Sequence, residues 1–313
     1  MIKLPDNYHN PACYWAQLMT LRCNGKCPYC ILNRRGTCVP RPDELSGKQI
    51  LDFWNNLERK EGRRLSLIGG ETTLHRDFVE IVNNLEGYAI TVTTNCKGPF
   101  FAEPDFYKKL KPKPSSTLRI NTTFHPHHMT SDEYIAVIKQ LRRMEYFVDQ
   151  TAYVLYPDYP KEHQEAVKRV ADEIKITDSP YMGFWNKEKG FDAEPCPENN
   201  EMKPTYLGES DPAKLCGITD YEAYIDMCGQ PEPRQAICRH PLNALLIDPA
   251  GWSYPCHFRL YYAIDPFCHI DEFRPVAKDD MTCDWYGFCN HCDVPHVGCF
   301  KNPTAKEIEK DAD

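Results

Sequence analysis

The spacing of hydrophobic positions along this chain switches repeatedly between a period of two and a period of three to four. Apolar or β-branched runs at Tyr14–Leu21, Arg64–Ile68, Tyr88–Thr94, Thr117–Phe124, Phe147–Tyr156 and Ile176–Phe184 read as strands. Amphipathic stretches lie between them. Ser46 can cap a helix running to about Arg59, with Ile50, Phe53, Trp54 and Leu57 on one face. Arg76–Leu85, Ser131–Met144 and Glu162–Ile174 repeat the helical period, and Asp105–Leu110 reads as a shorter helix. Six β-then-α alternations predict an α/β chain: a parallel sheet with right-handed crossovers and helices outside. Six units fall short of a closed eight-stranded barrel. In sheets of this kind ligands sit beyond the C-terminal ends of the strands.

The pattern changes after residue 190. Phe191–Glu209 is rich in Pro, Asn and Glu and reads as a linker or lid, and Pro212–Cys228 as a helix. Asn243–Ile247, the turn Asp248-Pro249-Ala250-Gly251 and Trp252–Pro255 predict a β-hairpin, with Cys238 before it and Cys256 after it. The expected organisation is a barrel over 1–190, a linker or lid over 191–230 and a small cysteine-rich unit over 231–313.

Charge and cysteine use narrow the function. Thirty-seven basic and 45 acidic residues give a net charge of −8. Basic residues come in short pairs such as Arg34-Arg35 and Arg142-Arg143, which argues against a nucleic-acid surface. No apolar run approaches the ~18 residues of a membrane span, and MIKLPDNYHN lacks a signal-peptide core. The 16 cysteines then read as metal or cluster ligands in a reducing cytoplasm. Six lie before residue 100 and ten from Cys196 onward, so two regions use them.

Cys23, Cys27 and Cys30 follow the first strand in the order Cys-x3-Cys-x2-Cys. Three thiolates can hold three corners of an iron–sulfur cube and leave the fourth iron open, whereas electron-transfer clusters have four protein ligands. A zinc knuckle would need a fourth ligand, for which Cys38 is at hand. With Tyr29 just before the last cysteine, the stretch resembles the signature of the radical S-adenosylmethionine (radical SAM) enzymes. That resemblance implies a partial (β/α)6 barrel and a 4Fe–4S cluster whose open iron binds S-adenosylmethionine. It also implies a flavodoxin- or ferredoxin-type electron donor and a 5′-deoxyadenosyl radical that removes a hydrogen atom from the substrate. Gly69-Gly70-Glu71 resembles the family's motif at the second strand end, with Thr72 where most members have Pro. Thr94-Asn95 resembles the third strand end, with Cys96 in place of Gly. Asn121 and Thr123 match the polar cofactor contacts of the fourth strand. His125 and His127, near His128 at the barrel mouth, are candidates for substrate contact or a general base; loop and cap histidines are the plainer reading.

Cys238-x12-Gly251-x4-Cys256 followed by Cys289-x2-Cys292 resembles the auxiliary-cluster extension called twitch, the shorter relative of the SPASM domain. It implies a second 4Fe–4S cluster on Cys238, Cys256, Cys289 and Cys292; Cys283 or Cys299 can replace one of these, and a structural zinc site is the alternative. The implied function is hydrogen abstraction from a small polar metabolite, leading to oxidation or epimerisation. A peptide-modifying maturase is the runner-up, disfavoured because the 22 residues before Cys23 leave no room for a leader-binding domain. A non-catalytic zinc-binding module is the reading from another class.

Overall fold

The computed structural model describes residues 1–4, 14–30, 32, 41–58, 62–103, 105–143, 147–156, 159–180, 188, 191, 234–238, 244–274 and 281–286. Strands and helices alternate as β1 (Tyr14–Leu18), α1 (Gly47–Asn55), β2 (Arg63–Ile68), α2 (Phe78–Asn84), β3 (Tyr88–Thr94), α3 (Pro99–Ala102), β4 (Thr117–Phe124), α4 (Ser131–Arg143), β5 (Phe147–Leu155), α5 (Lys161–Ala171) and β6 (Thr177–Pro180). Then come β7 (Arg234–Cys238), β8 (Ala244–Ile247), β9 (Ser253–Tyr254), α6 (His257–Tyr262) and β10 (Met281–Tyr286). The helix expected at Asp105–Leu110 is a 3-10 turn over Phe106–Lys109. The expected helix 212–228, most of the linker, and Cys289, Cys292 and Cys299 lie outside the described residues.

Local chemistry sets the helix ends. Ser46 caps α1: its hydroxyl accepts the Gln49 amide at 3.3 Å, and Gln49 Oε1 accepts the Ser46 amide at 3.0 Å. The expected run to Arg59 stops at Asn55, because Leu57 leaves the helix to pair with Ile2 in an isolated parallel bridge. Asp132 and Glu133 open α4 while Arg142 and Arg143 close it, matching the helix dipole.

β1 to β6 are parallel and neighbour one another in chain order. The full order is β6-β5-β4-β3-β2-β1-β8-β9, so the sheet stays open as a partial barrel. The hairpin β8–β9 forms as expected and is hydrogen-bonded to the barrel sheet: β8 runs parallel to β1, with Tyr14 opposite Ala244 and Gln17 opposite Ile247. Its turn is held by Asp248, whose Oδ1 accepts the amides of Ala250 and Trp252, both at 2.9 Å. Gly251 has φ +91°, and a Cβ there would stand 2.6 Å from His269 Nε2. β7 and β10 form a separate antiparallel pair, with Cys238 opposite Met281.

The two faces of the sheet differ. On the convex face Leu65, Leu67, Ile90, Val92, Ile120 and Phe124 pack against Trp54, Ile81, Ile135 and Ile138 of the helices to make the main core. Two of its polar groups are paired: Trp54 Nε1 donates to Gln17 Oε1 at 2.9 Å and the Tyr88 hydroxyl to the Trp54 carbonyl at 2.6 Å. The concave face is apolar at the β1/β8 end, where Ala16, Leu18, Ala244 and Leu246 lie under Tyr254 and Leu260. Across β2 to β5 it carries two polar rows. The register aligns Ser66 with Thr91 and Thr91 with Arg119 in one row, and Thr93 with Asn121 and Asn121 with Gln150 in the next. Among the described residues no helix is long and apolar enough to cross a membrane.

Candidate metal and cofactor site

A cavity of about 250 Å³ opens at the C-terminal ends of the strands. Cys23, Cys27 and Cys30 line one side. Across from them lie Gly69 and Gly70 after β2, Thr93, Thr94 and Asn95 at the end of β3, and Thr123 and His125 at the end of β4. Ile68, Val154 and Ser179 also line it with no signal in the sequence beyond strand alternation, and Tyr261 of α6 with none at all.

The cysteine loop is fastened to the end of β2 through the backbone. Ile68 accepts the Met19 amide at 2.7 Å, and the amides of Gly70 and Glu71 donate to the carbonyls of Thr20 and Arg22, each at 2.8 Å. This pairing requires glycines: a Cβ on Gly69 would stand 2.7 Å from the Thr20 carbonyl oxygen. Glu71 is not on the cavity wall. It is fully buried, and its carboxylate accepts from the Thr73 hydroxyl (2.5 Å), the Thr73 amide (3.2 Å), the Thr94 hydroxyl (2.7 Å) and the Asn95 amide (2.7 Å). Burial nonetheless holds this carboxyl above its usual range. Thr72, which departs from the Pro of the resembled motif, ties the same junction by donating to the Thr93 carbonyl at 2.7 Å. Cys96 is buried. It adopts φ +62°, the left-handed conformation for which glycine is best suited.

Asn95 links the strand ends to the loop. Its Nδ2 donates to Asn24 Oδ1 at 2.8 Å and approaches Cys23 Sγ at 3.9 Å, while its Oδ1 accepts the Lys97 amide at 2.9 Å. Tyr29 is buried and stacks on Tyr156 with ring centroids 4.3 Å apart; its hydroxyl bonds to His125 Nδ1 at 2.7 Å. Tyr156 in turn bonds to His163 Nδ1 at 2.8 Å. His127 does not line the cavity and stands edge-on to Tyr29, with centroids 5.4 Å apart. Burial pushes His125 down to about 3, and His127, which is more exposed, is also lowered, with His163 and His128 contributing. Thr123 lines the cavity, and Asn121 lies one row deeper on the concave face.

The residues present fit an iron–sulfur cluster. Cys23, Cys27 and Cys30 line one cavity, and a Cβ on Gly25 would lie 3.5 Å from both Cys23 Sγ and Cys27 Sγ. Burial, with Cys30 and Cys23 nearby, pushes the Cys27 thiol up to about 12, so an ionised set here calls for a cation. Among the described residues no three His, Cys, Asp or Glu side chains converge on a single-ion site. A cubane needs no such convergence, since each thiolate binds its own iron. Cys256 lies elsewhere, capping α6 by accepting the Arg259 amide at 3.5 Å, while Tyr261 on that helix reaches the cavity.

An open parallel barrel with a three-cysteine loop after its first strand and a glycine pair after its second is the architecture of a radical SAM domain. Residues 18–171 match the family model for the Radical SAM superfamily, and that region of the chain is a radical SAM domain. Its cofactors are a 4Fe–4S cluster and S-adenosylmethionine. The chain is 32% identical over 96 residues to GTP 3′,8-cyclase of Listeria monocytogenes, covering 29% of each. It is 31% identical over 96 residues to Molybdenum cofactor biosynthesis protein 1 of Drosophila melanogaster, covering 29% of this chain and 17% of that one. The chain thus spans less than a third of the length of the curated relatives it matches. Among solved structures, Streptococcus suis SuiB bound to S-adenosylmethionine aligns with a TM-score of 0.39 and 14% identity, over 83% of this chain and 63% of that one.

Proposed function

We propose that this radical SAM enzyme removes a hydrogen atom from a small polar metabolite and thereby oxidises or epimerises it. The supporting observation is the polar half of the concave face. Thr91 is 2% exposed, and neither its Oγ1 nor the buried Oδ1 of Asn121 has a hydrogen-bond partner. An unsatisfied buried polar atom costs about 1–3 kcal/mol, so two of them below the cavity favour a ligand that brings hydrogen-bonding groups. Sugars, aminocyclitols and nucleotides are such ligands; the matched relatives include enzymes named as GTP cyclases.

When bound, the cluster and S-adenosylmethionine supply the radical that takes the hydrogen atom. Cys23, Cys27 and Cys30 hold the cluster. Gly69, Gly70, Thr94, Asn95 and Thr123 shape the cofactor wall, and Glu71 fixes that wall from behind. The Tyr29–Tyr156 stack excludes water beside Cys27. His125 offers substrate a neutral imidazole whose Nδ1 is engaged by Tyr29. A second 4Fe–4S cluster on Cys238, Cys256, Cys289 and Cys292 is part of this reading, as is a flavodoxin- or ferredoxin-type reductant.

The test is anaerobic. Wild type should hold about eight iron per chain and a Cys23→Ala/Cys27→Ala/Cys30→Ala variant about four. With reductant and S-adenosylmethionine, the wild type should form 5′-deoxyadenosine and the variant none. Deuterium from a deuterated polar metabolite should enter that product. Consumption of S-adenosylmethionine without 5′-deoxyadenosine would sink the proposal.

A further inference from the structure

We infer that His128 donates a hydrogen bond from Nε2 to a sulfur of the cluster on Cys23, Cys27 and Cys30, raising that cluster's reduction potential. The inference rests on these three cysteines holding the cluster. In the sequence His128 is one of a run of histidines; the fold gives it a place of its own. The turn after β4, closed by the His128 amide donating to the His125 carbonyl at 2.9 Å, carries the ring to the cysteine loop. The ring edge packs over Gly25: a Cβ there would lie 3.6 Å from His128 Cδ2 and 3.5 Å from the sulfurs of both Cys23 and Cys27. Nε2 is bonded to Cδ2, so it is the next atom along that edge. It is buried and has no hydrogen-bond partner.

A buried imidazole nitrogen left unpaired costs about 1–3 kcal/mol. The acceptors at this place are the thiolate and sulfide sulfurs of the cluster. The neighbouring histidines are engaged otherwise, His125 with Tyr29 and His127 beside His163. Both sides of the contact are also fixed. The Lys97 ammonium donates to the His128 carbonyl, and Asn95 holds Asn24 at 2.8 Å. An imidazole carries at least one ring N–H in either protonation state, so the ring has one to give. A reduced cluster carries one more negative charge, so a donor at sulfur favours reduction, and hydrogen bonds to sulfur are among the levers that set cluster potentials.

The experiment compares the full reconstituted chain with His128→Phe and His128→Gln. Reduction is followed by electron paramagnetic resonance, using the signal that a Cys30→Ala variant lacks. His128→Phe should keep its iron, yet at a fixed potential its reduced-to-oxidised ratio should fall about tenfold, which is 59 mV for one electron. His128→Gln, which retains a donor of similar reach, should stay near wild type. An unchanged midpoint in His128→Phe overturns the inference, and so do equal shifts in both variants, which would reveal packing alone. If neither variant folds, wild type labelled with 15N-histidine decides: a weakly coupled 15N at the reduced cluster is expected, and its absence overturns the inference. A wild type without the loop-dependent signal would instead overturn the cluster assignment, and this inference with it.

Discussion

Gly70→Ala tests how the cysteine loop is held. A Cβ at Gly70 would stand 2.7 Å from the Leu21 carbonyl oxygen and 2.8 Å from the Arg22 carbonyl carbon, and closer still to the Arg22 oxygen. These are backbone atoms and cannot rotate aside. Relief requires separating the β2 end from the loop, which breaks the Gly70–Thr20 and Glu71–Arg22 hydrogen bonds. Overpacking costs about 1–3 kcal/mol and each lost backbone bond about 1 kcal/mol, so a total of about 3–5 kcal/mol is expected. That is a large share of a typical stability of ~5–15 kcal/mol. The chain has a cheaper escape: the loop detaches while the convex core survives. Urea denaturation of cluster-free protein should therefore show a reduced midpoint, and iron retention after reconstitution should fall further still. Gly62→Ala is the control, with φ +73° and nothing within 4 Å of its Cβ; left-handed strain of ~1–2 kcal/mol is all it should cost, with iron unchanged. A Gly70→Ala protein with wild-type iron and a midpoint no lower than that of Gly62→Ala would refute the reasoning.

Two further predictions concern titratable groups. Glu71→Ala leaves its four donors without the carboxylate and should lose about 3–5 kcal/mol by chemical denaturation, whereas Glu71→Gln should lose about 1–2 kcal/mol. Because burial raises the folded-state value of Glu71, the folded chain holds this proton more tightly than the unfolded chain does. Its contribution is complete below the ordinary carboxyl value of ~4.3 and declines as pH rises through the raised one, so wild type should gain on Glu71→Gln between pH 7 and pH 5; parallel curves would count against this. His125 has the opposite sign. Its value falls from 6.5 to about 3, so its contribution is present above 6.5 and is lost as pH drops toward 3. Cluster-free wild type should lose up to ~1.4 kcal/mol per pH unit more than His125→Gln in that window, and equal acid sensitivity would remove the argument.

Much of the barrel was legible because alternation and helical period are local signals. β3 and β4 run over Tyr88–Thr94 and Thr117–Phe124, as their patterns predict. Helix α1 ended early because Leu57 pairs with Ile2, a long-range event that no helical window contains. α3 was missed: Pro99–Ala102 is a single turn announced only by Gly98-Pro99. The hairpin was readable from Pro249 and Gly251, but its neighbour was not, since a strand pattern does not name the strand beside it. The site divides in the same way. The cysteine spacing marked the loop, and Gly69-Gly70 marked its anchor. The side-chain ties of Glu71 to Thr73, Thr94 and Asn95, and the packing of His128 over Gly25, arise from tertiary proximity alone.

Because β8 lies against β1, the strand that launches the cysteine loop has hydrogen-bonded neighbours on both sides. One of these arrives very late: the Gln17 side chain donates to the Asp248 carbonyl across 231 positions of sequence. A growing chain can form β1 to β6 in order as they emerge from the ribosome, but it must leave one flank of β1 bare until the hairpin has been made. Contacts so distant in sequence slow folding, and the waiting strand presents unpaired amides and carbonyls to any other chain. Co-translational handling of this protein thus has one vulnerable seam, and a chain cut short before residue 244 would keep it open permanently.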